Sequence, residues 1–177
     1  MKQALKVFLA ILSVGVLFTL AACGNKSNTG GTGYDKNGIP VELKKSYTGS
    51  ASGYGYDGNM YRSGGDTLTF NITQQTIANS DKEKRYFKVL TEKNLGNSKS
   101  FAGALSTFKR HKSELKGKKY FLFTSVTEAR KDKLDANAKD PSEIYCVVLS
   151  DGGKSIRIFQ LETGNQDEYY NFTGEAN

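Results

Sequence analysis

Hydrophobic and polar positions alternate most strictly over Thr67-Leu68-Thr69-Phe70-Asn71-Ile72-Thr73. A period of two places Leu68, Phe70 and Ile72 on one buried face of an extended strand and leaves the threonines on a wet face. Ser63-Gly64-Gly65-Asp66 ahead of it predicts a turn returning from a strand around Met60 and Tyr61. Tyr86 to Leu90, Lys119 to Val126 and Ile144 to Leu149 are rich in aromatic and β-branched residues and predict further strands. Asp151-Gly152-Gly153-Lys154 joins Leu149 to the alternating run from Ile156 to Leu161, the strongest hairpin signal in the chain, and Tyr169 to Phe172 supplies a closing strand. One segment changes period. Phe101, Ala104, Leu105, Phe108 and Leu115 fall near one helical face, which predicts a helix over 100–115 with Ser98 or Ser100 at its start, and a second helical turn is expected near Glu128 to Leu134. Seven or eight short strands in succession with one short helix predict a mainly β domain, either a small antiparallel β-barrel or a sandwich.

The apolar run from Val7 to Thr19 follows Lys2 and Lys6 and closes in Leu20-Ala21-Ala22-Cys23. A membrane-spanning helix wants about 20 predominantly apolar residues, and this run is shorter and broken by Ser13 and Gly15. A cationic start, an apolar stretch and a small-residue site are the parts of an export signal. The segment resembles a bacterial lipoprotein signal peptide with its lipobox. The resemblance implies lipid attachment to Cys23 through a diacylglyceryl (palmitate-type) anchor, cleavage before Cys23, and retention on the extracellular face of a Gram-positive cell membrane. From Gly24 to about Gly38 the chain is mostly Gly, Asn, Ser and Thr, too poor in apolar residues to offset the entropy of ordering. The expected organisation is a signal peptide over 1–22, a lipidated flexible tether over 23–39 and a single β-rich extracellular domain over 40–177.

The formal net charge is +7, with Lys2 and Lys6 contributing to it. Such an excess favours anionic headgroups or wall polymers as partners. No nucleic-acid-binding pattern accompanies the charge, so nucleic acid is not an expected partner. Cys23 and Cys146 are the two cysteines, and Cys146 lies in a run apolar on both faces, as expected of a buried small hydrophobe. His111, the single histidine, stands between Arg110 and Lys112 and reads as a solvated surface residue. With one histidine and no spare cysteine, neither a zinc site nor a metal cofactor is expected. Asp132, Asp135, Asn137 and Asp140 lack the spacing of a calcium loop. Gly153-Lys154-Ser155 lacks the upstream glycine of a phosphate loop, and Ser106-Thr107-Phe108-Lys109 lacks the companion motifs of penicillin-recognising enzymes. No catalytic residue, and hence no enzyme, is expected.

Two groups remain as candidates for binding. Lys109, Arg110, Lys112, Lys116, Lys118 and Lys119 form the densest basic cluster, suited to an anionic surface. Tyr54, Tyr56 and Tyr61 lie in a Gly-rich stretch that would form an aromatic ligand-contacting loop. Gly58-Asn59-Met60-Tyr61, Thr67 to Thr73 and Thr76-Ile77 also resemble the opening hairpin of small lipocalin-like barrel domains in surface proteins of lactic acid bacteria. That likeness implies a small antiparallel barrel. The expected function is a membrane-anchored, non-catalytic binding module for a small apolar ligand, a wall polymer or a protein. A protective surface factor, inhibiting a hydrolase or excluding phage, and a small surface enzyme are the alternatives.

Overall fold

The structure, a computed structural model, describes residues 33–55, 58–161 and 170–177. Eight strands form a closed antiparallel barrel: β1 (Ser46–Ser52), β2 (Gly64–Asn71), β3 (Thr76–Ala78), β4 (Lys84–Leu90), β5 (Lys119–Thr127), β6 (Ile144–Ser150), β7 (Ser155–Leu161) and β8 (Asn171–Ala176). Each strand pairs with its neighbours in sequence, and β8 returns to pair with β1. Full closure removes the open sheet edges that a sandwich would have to protect. At the seam Gly49 stands opposite Gly174, where a Cβ on Gly49 would fall 2.0 Å from the Thr173 carbonyl oxygen. Only glycine permits that approach of backbones.

The alternation of each strand sorts its side chains between two cores. Tyr47, Leu68, Phe70, Phe87, Phe121, Phe123, Val147, Ile156, Ile158 and Phe172 fill the barrel interior. Leu122, Ile144, Cys146, Val148, Phe159 and Leu161 face outward and are buried by the helices α1 (Glu92–Asn97), α2 (Ala104–Leu115) and α3 (Leu134–Lys139). Strand β6 is therefore apolar on both faces because it faces the interior on one side and helices on the other. Ile72 is only half-buried, at the end of the alternating run.

The sequence predicts one helix over 100–115, whereas α2 begins at Ala104. Gly103 is left-handed with φ 94°, so the turn before it cannot belong to the helix. The chain also folds α1, which the apolar period does not announce; Thr91 and Asn94 cap its start reciprocally. The helical turn expected near Glu128 is a 3-10 helix over Glu128–Lys133 that runs into α3. Met60 and Tyr61 are in the β1–β2 loop rather than in a strand, and the first strand lies earlier, in β1.

Both ends of the barrel are stoppered. At the lower end the Asp35 carboxylate accepts from the Asn37 and Ile39 amides at 2.8 and 2.9 Å, and the resulting turn directs Ile39 and Leu43 into the inner core. The described fold thus reaches back ahead of residue 40. At the upper end Met60 and Tyr61 enter from the β1–β2 loop. No helix among the described residues is long and apolar enough to cross a membrane.

Candidate functional site

Strand parity carries past the apolar runs into polar residues, and it does so at one end of the barrel. Arg85 precedes Phe87 by two, Asp66 precedes Leu68, Glu143 precedes Tyr145, Ser125 follows Phe123 and Gln160 follows Ile158. All five side chains are buried, with Arg85 only 6 % and Glu143 only 8 % exposed. The upper interior is consequently a polar layer resting on an aromatic floor.

Tyr61 occupies the middle of this layer. Its ring lies 4.1 Å from that of Tyr145 and 5.2 Å from that of Tyr170, and its hydroxyl pairs with Ser125 Oγ at 3.1 Å. Burial pushes the Tyr61 phenol well above its ordinary pKa; the Glu143 charge adds to this, and the Ser125 hydrogen bond opposes it. The phenol therefore stays protonated and keeps its donor. Tyr145 donates its hydroxyl to Glu143 Oε2 at 3.3 Å, and Arg85 donates to the Lys84 carbonyl at 2.9 Å and to Glu83 Oε2 at 3.4 Å.

Between this layer and the 3-10 helix lies a cleft of about 300 Å³, bordered by Asn59, Arg85, Thr127, Arg130, Ser142 and Glu143. Arg130 sits at a kink in the 3-10 helix, with φ −114° and ψ 15°, and its guanidinium makes no ion pair among the described residues. The cleft offers cationic and hydroxyl donors beside a carboxylate, which suits it to holding a polar group of complementary charge. A second hollow of about 260 Å³ lies on the outer wall beside Glu114, Lys118, Ser155, Arg157 and Glu175. Among the described residues no group of three His, Cys, Asp or Glu side chains is placed to hold a metal ion.

The residues singled out from the sequence are dispersed. Cys23 and Tyr56 lie outside the described residues. Tyr54 is 63 % exposed on the loop after β1, at the barrel mouth, whereas Tyr61 is fully buried. Lys109, Arg110, Lys112 and Lys116 are exposed along α2, Lys118 follows in the turn, and Lys119 opens β5. Lys112 is paired with Glu92 at 2.7 Å, and Lys119 lies over the Tyr34 ring. This basic stretch runs along the outer wall toward the lower end and does not meet the tyrosines.

His111 corrects the sequence reading. It is not a solvated residue among lysines but lies 8 % exposed against Phe159, because α2 turns its Phe108, His111 and Leu115 edge to the barrel wall. Its Nδ1 hydrogen-bonds Glu114, which also receives Arg157 Nη1 at 3.0 Å. Arg85, Glu143 and Arg130 were missed because polar residues beside apolar runs read as strand ends. Extending the period of two by one step past each run identifies Arg85 and Glu143; Arg130 has no such signal.

Comparison of the chain with protein-family models, with curated proteins and with solved structures finds no match.

Proposed function

We propose that this protein is a non-catalytic binding module, held to the extracellular face of a membrane through a diacylglyceryl group on Cys23, whose barrel mouth engages an anionic group of a wall polymer. The observation that carries this reading is the opposition of two ends of one strand. Tyr34, inside the segment 23–39 read as the tether, accepts from the Tyr120 amide at the start of β5, while Ser125 and Thr127 border the cleft at its other end. Five to seven steps along the strand separate them by about 17–23 Å. An anchor at the lower end therefore turns the cleft outward. Arg130 at the rim and Arg85 at the floor supply the cationic donors, and the side chains filling the lower barrel favour a polar group over an apolar ligand in the interior.

The test is sedimentation of the full chain with purified wall fragments. Binding that falls several-fold in Arg130→Ala, together with release of Cys23→Ser into the medium in cells, is the expected result. Equal sedimentation of wild type and Arg130→Ala, or a wild-type chain carrying no lipid on Cys23 by intact mass, would overturn it. A protective factor acting on a foreign protein is favoured by one observation, the exposure of Tyr54 at the same rim; loss of function in Tyr54→Ala with wall binding intact would select that reading.

A further inference from the structure

Opposite charges line the 260 Å³ hollow on the outer wall and do not pair across it. The barrel register lays out its bed. Ser150 pairs with Ser155 and Ser155 with Glu175, and Lys118 directly precedes the Lys119 that pairs with Leu149, so Lys118, Ser150, Ser155 and Glu175 stand in one outward-facing row around the wall. Three strand spacings put the backbones at the two ends of this row about 14 Å apart. The next row, Val148, Arg157 and Thr173, continues the bed, and Glu114 and Leu115 of α2 border it. In the middle the charge is balanced, because Arg157 Nη1 donates to Glu114 Oε2 at 3.0 Å. At the ends it is not. Among the described residues Lys118, Glu175 and Asp151 make no ion pair. Ser155 Oγ lies 3.0 Å from Glu175 Oε2 and 3.2 Å from Asp151 Oδ2. A hydroxyl has one proton, so a single neutral donor serves two carboxylates and leaves their negative charge uncompensated.

We infer that this hollow binds a linear zwitterion of the ω-amino acid class, its ammonium beside Glu175 and Asp151 and its carboxylate beside Lys118. The chemistry matches in sign at both ends. An ammonium carries three donors and no acceptor, and the acidic end offers two carboxylates; a carboxylate only accepts, and Lys118 and Ser150 are neighbours in the row that supply an ammonium and a hydroxyl. The separation of the ends selects length. An α-amino acid holds its two charges on neighbouring carbons and is too short to serve Lys118 and Glu175 together. Several methylenes between the charges span the row, and they lie over the apolar side chains of Val148 and Leu115, which removes their surface from water. The hollow opens on the lower outer wall, away from the Arg85–Arg130 cleft, and its occupancy is independent of the wall-polymer reading.

The experiment is calorimetric titration of the full chain in a non-ionic detergent with 6-aminohexanoate as the probe. Three controls dissect it: 6-acetamidohexanoate lacks the ammonium, 6-aminohexanamide lacks the carboxylate, and glycine has both charges without the span. The expected result is saturable binding of 6-aminohexanoate, about tenfold or more tighter than any control, the range of one hydrogen bond to a charged group. Lys118→Gln should weaken it to the level of 6-aminohexanamide. Asp151→Asn combined with Glu175→Gln should weaken it to the level of 6-acetamidohexanoate; asparagine accepts the left-handed backbone of Asp151, φ 52°, and Lys118 and Glu175 are exposed, so these variants keep the fold, which an unchanged melting temperature checks. Lys109→Gln with Lys116→Gln, two cations that do not line the hollow, should leave binding as in wild type. Equal binding of 6-acetamidohexanoate or 6-aminohexanamide would mean that one charge suffices, equal binding of glycine that the span is not read, and equal loss in the Lys109/Lys116 variant that only diffuse charge acts. Each of these, like the absence of saturable binding, overturns the site.

Discussion

Arg157 of β7 reaches across the outer wall to Glu114 of α2, Nη1 to Oε2 at 3.0 Å, and from the same side chain donates Nε to Asn171 of β8 at 3.0 Å. The guanidinium also lies over the Phe159 ring at 4.5 Å, so one residue joins a helix to two strands. Burial alone would raise the Glu114 carboxyl, yet the His111 hydrogen bond and the Arg157 charge outweigh it and hold the group below its ordinary value of 4.5.

The pH dependence follows in sign. A carboxyl whose folded pKa is depressed contributes stability that is present above pH 4.5 and is lost as pH falls through the lower folded value. Denaturant unfolding of wild type and Glu114→Gln should give stabilities that differ by about 0.5–1 kcal/mol at neutral pH, as for a partly exposed pair, and converge in acid. A constant difference down to about pH 2, below any ordinary carboxylate pKa, would show that the ion pair carries none of it.

Cys146 lies on the outward face of β6, fully buried under the helices, and burial pushes its thiol far above the usual range. A protonated, enclosed thiol is a poor nucleophile. Iodoacetamide should leave Cys146 unmodified in the native protein and label it completely in denaturant, read by peptide mass. Rapid native labelling would mean that α2 lifts from the wall.

Among the described residues Lys109, Lys116 and Lys118, exposed on α2 and its turn, make no ion pair, whereas Lys112 is engaged by Glu92. If they dock on anionic lipid, each contributes about 1 kcal/mol near the surface. Reversal of all three to Glu should lower binding of the full chain to phosphatidylglycerol vesicles by roughly a hundredfold at low salt, with little change in melting temperature. Equal vesicle binding by wild type and variant would make the stretch a solvated face only.

The parts of the fold legible from sequence are those where one side chain face meets water. Leu68 and Phe70 alternate with threonines because β2 has a wet outer face, and the 151–154 turn is legible because its left-handed backbone demands glycine. The sorting of β6 between two cores is not legible, since Ile144 to Leu149 is apolar throughout and nothing in the run distinguishes the interior from the helix side. His111 misleads for a related reason: its neighbours in sequence, Arg110 and Lys112, point away from it on a helix, and only the wall contact decides its burial. Among the site residues, Tyr54 is where the glycine-rich stretch suggests, at an exposed rim. Tyr61 is not, because a loop that also carries Met60 gains more by stoppering the barrel than by standing in solvent.

The β1–β8 seam also sets the order of assembly. Ser46–Ser52 finds one partner in β2 some 13–23 residues on, but its other partner is Asn171–Ala176, made more than a hundred positions later in a chain that emerges amino end first. Until then β1 offers an unsatisfied backbone edge, the kind of surface that recruits foreign strands. Contacts so distant along the chain also form slowly. On the proposed reading, in which the chain is exported and anchored through Cys23, this order has a use: a barrel that closes last cannot lock before transport, and its final ladder ends the capacity to mispair.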